Sequence, residues 1–153
     1  MRSDASARIE ALAGAGNQQQ AIAAATQALA APRLGAAQRM DLLDLRAESL
    51  VAEGRFVDAE LDAAEMMALA EAKAQPALTI QALTRQAWVL MRLGQNKRAL
   101  TVAEQAAAVA QDTRNAVLLP RAVLCLAEAQ LRAVQPEAAV TSARRAAQTL
   151  IGS

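Results

Sequence analysis

The chain has 153 residues, of which 54% are hydrophobic and 20% are charged, and its 16 basic and 15 acidic side chains leave a formal net charge of +1. That length suits one domain or one short repeat array, and the near-neutral charge provides no global field to attract nucleic acid or an anionic membrane. There is no histidine and only one cysteine, Cys125, which excludes histidine-based acid–base chemistry, Cys/His zinc sites and internal disulfides.

Apolar residues recur at steps of three and four along most of the chain, which is the spacing of amphipathic helices. No stretch shows the β-branched alternation of a strand, and turn residues separate segments of helical length. The sequence therefore predicts an all-α protein of eight helices, at 4–14, 18–31, 36–53, 56–74, 77–93, 96–111, 115–133 and 136–151.

The predicted helix ends in the first two thirds of the chain have a local chemical basis. Asn17 is expected to cap the second helix, and Gly54 and Gly94 to end helices in the left-handed conformation that glycine adopts at low cost. Pro76 falls at a first helical turn, where a missing N–H is tolerated.

Similar signals mark the last third. Asn96 is expected to cap the sixth helix, Asp112 or Thr113 to cap the seventh, and Pro136 to open the eighth. Pro120 conflicts with a seventh helix that starts at 115, so we expect that helix to start later or to bend.

The chain resembles itself at an interval of 40 residues, the distance between Gly54 and Gly94. Ahead of each glycine, Leu43, Ala47 and Leu50 correspond to Leu83, Ala87 and Leu90. The pattern predicts four helical hairpins, at about 4–31, 36–74, 77–111 and 115–151, that form a single repeat domain over 1–153.

These residues resemble the tetratricopeptide repeat family, in its longer variant found in bacterial signalling and regulatory proteins. The resemblance rests on a small residue in the first helix, a glycine in the turn and a small residue in the second helix: Ala47, Gly54, Ala59, and again Ala87, Gly94, Ala99. In the third pair Ala127 and Ala139 correspond, with Val134 in the turn. The resemblance implies a right-handed α-α superhelix. The aromatic positions of the family's motif are mostly Leu, Ala or Val here, and the interval of 40 exceeds the family's usual 34. Another α-solenoid or a plain helical bundle is the alternative.

The side of the first helices opposite the apolar stripe is the candidate binding surface. In 77–93 the side chains of Leu83, Ala87 and Leu90 lie within about 60° of one another around the helix axis, and the polar side faces away from them. In a solenoid that polar side lines the concave groove. The groove residues we expect are Asp41, Asp44, Glu48, Gln81, Arg85, Trp88, Arg92, Arg121, Glu128 and Arg132, accompanied by Leu45, Leu124 and Cys125.

Trp88 is the most distinctive of these residues. A lone tryptophan is commonly a core side chain, but Trp88 lies nearly opposite the apolar stripe, so we expect it to face the groove. Flanked by Arg85 and Arg92, it would resemble a binding hot spot, with the indole offering contact area and the guanidinium groups orienting an anion.

Charges in this expected groove are separated by sequence. Carboxylates are concentrated in the second unit and arginines in the third and fourth, which favours a peptide with a basic end near the second unit and an acidic end near the fourth. Solvated helix faces are the simpler interpretation of each single charge.

Catalytic and cofactor sites find no support in the sequence. Asp41, Asp44 and Glu48 stand at helical spacing, but without histidine partners a hydrated surface is the better interpretation than a metal site. Cys125 has no histidine to activate it, so we expect a small apolar or groove-side thiol. We expect no enzyme activity, no cofactor, no metal, and no nucleic-acid or membrane partner.

The last helix carries an apolar face with nothing after it to cover that face: Ala139, Val140, Ala143, Ala147, Leu150 and Ile151. We expect self-association through this helix, a downstream domain, or packing back on its own partner helix.

Taken together, the sequence predicts a cytoplasmic, non-catalytic scaffold that binds a protein or peptide in the groove. The alternative is a regulatory or sensor repeat domain of a larger bacterial signalling enzyme or transcription regulator.

Overall fold

The computed structural model describes residues 3–133 and 136–152, with the backbone alone described for 136–140. These residues form eight helices and no strand, which confirms the predicted all-α class. The helices are α1 (Asp4–Gly14), α2 (Gln18–Leu29), α3 (Ala36–Ala52), α4 (Phe56–Lys73), α5 (Pro76–Arg92), α6 (Asn96–Asp112), α7 (Leu119–Arg132) and α8 (Pro136–Ile151).

The turn glycines behave as predicted. Gly54 and Gly94 follow the ends of α3 and α5 with φ of +75° and +76°, and the next residue in each case donates its N–H back into the last helical turn. Pro76 is the first residue of α5, where it removes no intrahelical hydrogen bond.

Helix α7 begins late, at Leu119, so Pro120 lies in its first turn and needs no kink. The Asn115 side chain accepts a hydrogen bond from the Leu118 N–H at 3.0 Å, so this asparagine satisfies a donor just before the helix. The predicted cap from Asp112 or Thr113 is therefore wrong, because α6 continues through Asp112 and Thr113 terminates it.

The asparagine caps are also wrong. Asn17 occupies the N-cap position of α2, but its side chain makes no capping hydrogen bond. Asn96 lies inside α6, whose N-cap is Gln95. A residue that does cap a helix is Ser3, whose side chain accepts from the Ser6 N–H at 3.2 Å at the start of α1.

The helices pack in chain order, and each first helix also packs against the first helix of the unit before it. Thus α3 contacts α1 and α2, α5 contacts α3 and α4, and α7 contacts α5 and α6. The predicted stripe of Leu83, Ala87 and Leu90 is buried, as is Ala47. Alanines such as Ala99 in the second helices let neighbouring helices approach closely. The result is a helical repeat array whose first helices α1, α3, α5 and α7 form one continuous surface, the first-helix wall.

The interval of 40 residues also appears in the tertiary structure. The Gln81 side chain donates to Asp41 at 2.9 Å, and the Trp88 indole donates to Glu128 at 3.0 Å, so residues 40 apart meet directly across adjacent units. Corresponding positions of successive first helices therefore lie side by side.

Candidate binding site on the first-helix wall

The first-helix wall contains two adjoining cavities. One, of about 390 Å³, lies between α1, α3 and α5, and its lining includes Glu10, Asp41 and Gln81. The other, of about 470 Å³, lies between α3, α5 and α7, and its lining includes Trp88 and Arg92. Glu48, Ala52 and Arg121 line both cavities, so they form one continuous recess.

Asp44 is the centre of the polar network beneath this recess. It is only 5% exposed, and its carboxylate accepts from Arg85 Nε at 2.6 Å and from Arg121 Nη2 at 3.0 Å on Oδ1. Arg121 Nη1 lies 2.8 Å from Oδ2, which also accepts from Gln81 at 3.1 Å. One carboxylate thus joins three consecutive units, because arginine side chains are long enough to reach over a neighbouring helix.

The pKa of Asp44 reflects two opposing effects. Burial by itself raises it, but the positive charges of Arg85 and Arg121 and their hydrogen bonds outweigh burial and lower the pKa from 3.8 to about 2. Desolvation by itself lowers the pKa of Arg121, but the charge of Asp44, its hydrogen bond and the charge of Glu48 together outweigh desolvation, so the pKa of Arg121 is raised. Both groups remain ionised at neutral pH, so Asp44 accepts hydrogen bonds and does not act as a proton donor.

Trp88 is held by charged neighbours on several sides. The guanidinium carbons of Arg85 and Arg121 lie 5.3 and 5.2 Å from the centre of its ring, within cation–π range. Its indole N–H donates to Glu128, which also accepts from Arg132 at 3.3 Å. The tryptophan therefore lines the recess but is only partly exposed, and its orientation is fixed.

Two predictions about this surface need correction. Arg85 is 6% exposed and engaged with Asp44 and Glu48, so it is a buried structural cation and not a free anion-binding group. The expected separation of carboxylates from arginines is also lost, because the arginines of the third and fourth units reach Asp44 in the second. The reason is side-chain length, which the position of a Cα along the chain does not report.

The accessible charges are therefore a subset of the predicted ones. The Glu48 side chain is 65% exposed, with only a long 3.4 Å contact to Arg85. Arg92 is exposed in the second cavity, with no ion pair among the described residues. Arg132 and Glu128 pair with each other at the edge of the wall.

Two residues expected near the groove lie elsewhere. The Cys125 side chain is buried and contacts the Thr84 carbonyl at 3.6 Å. Burial raises the pKa of its thiol to about 12, so it stays protonated and is not a nucleophile at neutral pH. Leu124 is 55% exposed and is absent from the linings of both wall cavities.

Sequence reasoning missed the contribution of α1, which supplies Ser6, Glu10 and Ala13 to the first cavity. The sequence did contain a sign of this contribution. Glu10 precedes Glu48 by as many residues as Gly16 precedes Gly54, so Glu10 holds in the first unit the position that Glu48 holds in the second.

It also missed a second ion pair away from the recess, between a buried carboxylate and a partly buried arginine. The carboxylate of Asp62 is bound by two nitrogens of Arg46, at 2.9 and 2.6 Å. Arg46 donates in addition to Thr26 at 3.2 Å, so this pair links α2, α3 and α4.

Within the part of the chain that the structure describes, no group of three or more Cys, Asp or Glu side chains is arranged to hold a metal ion. None of the described helices combines the length and apolar character needed to cross a bilayer. No protein-family model matches this chain, and no curated protein matches it. The fold and the site define an architectural class, a helical repeat protein with a charged recess on its first-helix wall.

Proposed function

We propose that this chain is a non-catalytic scaffold of the tetratricopeptide type, which binds a protein or peptide in the recess of the first-helix wall in the cytoplasm. The observation that carries the proposal is the continuous recess formed by two cavities of about 390 and 470 Å³, with side chains from all four first helices. A recess that crosses successive repeats suits an extended or helical segment better than a compact small molecule.

The assignment to the tetratricopeptide type is supported by the packing of its signature positions. Ala47 and Ala87 are fully buried in the first helices, and Ala59 and Ala99 are fully buried in the second helices. The turn glycines have the left-handed backbone that the motif requires.

The network around Asp44 favours binding because it fixes the side chains of the recess before a partner binds. Arg85, Arg121 and Trp88 are already fixed by ion pairs and cation–π contacts. A partner therefore meets side chains that lose little further conformational entropy, which favours affinity.

The charges that remain accessible define the partner's chemistry. Asp41 lines the first cavity and Glu48 lies where the two cavities meet, and both suit a basic residue, whereas Arg92 in the second cavity suits an acidic residue or a terminal carboxylate. The proposed ligand is thus a segment with its basic part toward α1 and its acidic part toward α7.

The test uses synthetic peptides of about ten residues with lysines at one end and glutamates at the other. Trp88 is the only tryptophan and reports occupancy of the second cavity through its emission. We expect saturable binding that the Glu48→Lys/Arg92→Glu variant weakens about tenfold or more. The matched control, Lys97→Glu/Glu104→Lys, has the same net charge and changes exposed side chains of α6. Equal binding by both variants, or none by the wild type to peptides of either charge order, would refute the proposal.

A further inference from the structure

The last unit exposes positions that the unit before it buries. Thr84 and Met91 of α5 are 1% and 3% exposed, but 40 residues later Leu124 and Leu131 of α7 are 55% and 60% exposed. Leucine thus stands at two positions of the fourth unit where the third unit has threonine and methionine. In the third unit these positions are buried by the unit that follows.

The second helices show the same contrast. Ala103 and Ala107 of α6 are 0% and 6% exposed because α7 packs over them, whereas the corresponding Ala143 and Ala147 of α8 are exposed. Ile151, at the end of α8, is 86% exposed. The C-terminal end face comprises the exposed residues Leu124, Leu131, Ala143, Ala147, Leu150 and Ile151. The side chains of Ala139 and Val140, which the sequence analysis placed on this face, lie outside the described residues.

The N-terminal end of the array is different in character. Its exposed side chains include Arg8, Gln20 and Gln27, and none of the large apolar side chains exposed in the described chain lies in α1 or α2. Polar end surfaces of this kind keep one repeat array from stacking on another in water. Stacking of the C-terminal end face on the N-terminal end of another copy would therefore bury leucines against arginine and glutamine.

The C-terminal end face is complementary to itself. Bulky leucines form its α7 side, and the small Ala143 and Ala147 form the middle of its α8 side, with Leu150 and Ile151 at the C-terminal end of that helix. The Ser142–Gln130 hydrogen bond of 2.7 Å fixes the register of the two antiparallel helices and places Leu124 at nearly the same height as Ala147. Consider a twofold axis that lies on this face, parallel to α7 and α8 and midway between them. Rotation about it places α7 of each copy over α8 of the other, so that the leucines of one copy lie over the alanines of the other.

We propose that a second copy of this chain covers the C-terminal end face, in a twofold dimer in which α7 of each chain packs over α8 of the other. This contact continues the stacking already present within the array, where first helices cover the alanines of the preceding second helix. It lies apart from the recess of the first-helix wall.

The size of this surface sets the strength of the dimer. Two helices of about 21 and 24 Å, each about 10 Å wide, present a projected area of roughly 450 Å² per chain. The two chains together would bury about 900 Å², before the extra area of protruding side chains is counted. This is close to the lower bound of about 1,000 Å² for specific interfaces. The dimer is therefore weak and concentration-dependent.

The first test is sedimentation of the full 153-residue chain over a concentration series up to about 1 mM. We expect the mean mass to rise from one chain to two, with no higher species. Leu124→Glu/Leu131→Glu weakens association about tenfold or more, because it places charges in an apolar contact. The control, Val57→Glu/Leu61→Glu, alters equally exposed residues of α4 and leaves association unchanged. Circular dichroism verifies that both variants stay helical.

The second test examines the twofold arrangement by disulfide capture. A mixture of the Leu124→Cys and Ala147→Cys variants yields a cross-linked dimer, whereas each variant alone does not, since the axis brings position 124 of one chain to position 147 of the other. Cys125 does not interfere because its thiol is buried. A single-chain mass at every concentration overturns the proposal. Association that the glutamate variant leaves intact, or cross-linking in the single-variant samples alone, overturns it equally.

Discussion

Replacing Asp44 with asparagine removes the one negative charge that Arg85 and Arg121 share. Asparagine keeps the shape of the side chain and one acceptor oxygen, so packing around α3 is preserved. What changes is the charge balance, because Arg85 is left 6% exposed beside a neutral group. Breaking a buried ion pair in this way is strongly destabilising, since the remaining Arg85 charge is not solvated and keeps as its negative partner only the exposed Glu48, at 3.4 Å.

The magnitude follows from the pKa of the carboxyl group. Its pKa of about 2 in the folded protein, against 3.8 for the unperturbed group, corresponds to about 2.5 kcal/mol of stability contributed by the ionised form at neutral pH. Arg85 keeps only its long 3.4 Å ion pair with Glu48, which adds to this loss, and we expect Asp44→Asn to lower the free energy of unfolding by about 3 to 5 kcal/mol.

Urea unfolding at pH 7, followed by circular dichroism and by Trp88 fluorescence, measures the difference. Asp58→Asn is the matched control, because the Arg55–Asp58 pair is also in direct contact, at 2.9 Å, but about half exposed on both sides. An exposed pair contributes about 0–1 kcal/mol, so the control should stay near the wild type. If Asp44→Asn lost no more stability than Asp58→Asn, the buried network would not hold the array together.

The same variant makes a prediction about pH. The pKa of Asp44 is lower in the folded than in the unfolded chain, so its contribution is complete above about pH 5 and is lost as the pH falls through 2 toward 1. The gap in unfolding free energy between wild type and Asp44→Asn should therefore be constant from pH 7 to 5 and narrow by about 2.5 kcal/mol between about pH 5 and 1. A gap that does not narrow in this range would contradict the assigned pKa.

Two further predictions concern the turn glycines and the buried thiol. Gly54→Ala should lower the unfolding free energy by about 1 kcal/mol, because the φ of +75° at this position is strained for alanine. Gly14→Ala should be neutral or stabilising, because Gly14 lies in α1 with open space around it. Equal losses of stability for the two variants in urea unfolding would refute this reasoning. Cys125 should react with an aromatic disulfide reagent only after unfolding, because its thiol is buried and its pKa is about 12; rapid reaction of the native protein would contradict its placement.

Periodicity gave accurate information about which face of each helix is buried. Leu83, Ala87 and Leu90 were predicted as one stripe, and all three are buried, since a helical face depends only on spacing along one segment. The late start of α7 followed from Pro120 in the same local way. The asparagine caps failed, because capping depends on the side-chain rotamer and the backbone before the helix as well as on residue type.

The candidate site was predicted in outline and not in detail. The sequence placed Asp44, Arg85, Trp88 and Arg121 on one surface, and these residues do meet there. It did not predict that the arginines would be neutralised, because Asp44 and Arg121 are 77 positions apart and meet only when three units are stacked.

The helices, their buried stripes and the interval of 40 at which they recur can be read from the order of residues, because each depends on a short stretch of chain. Which charges are accessible depends instead on how the units pack together. The stacking of the units sets the distances between side chains of different helices, and those distances leave Glu48 and Arg92 exposed while Asp44 and Arg85 are buried against each other.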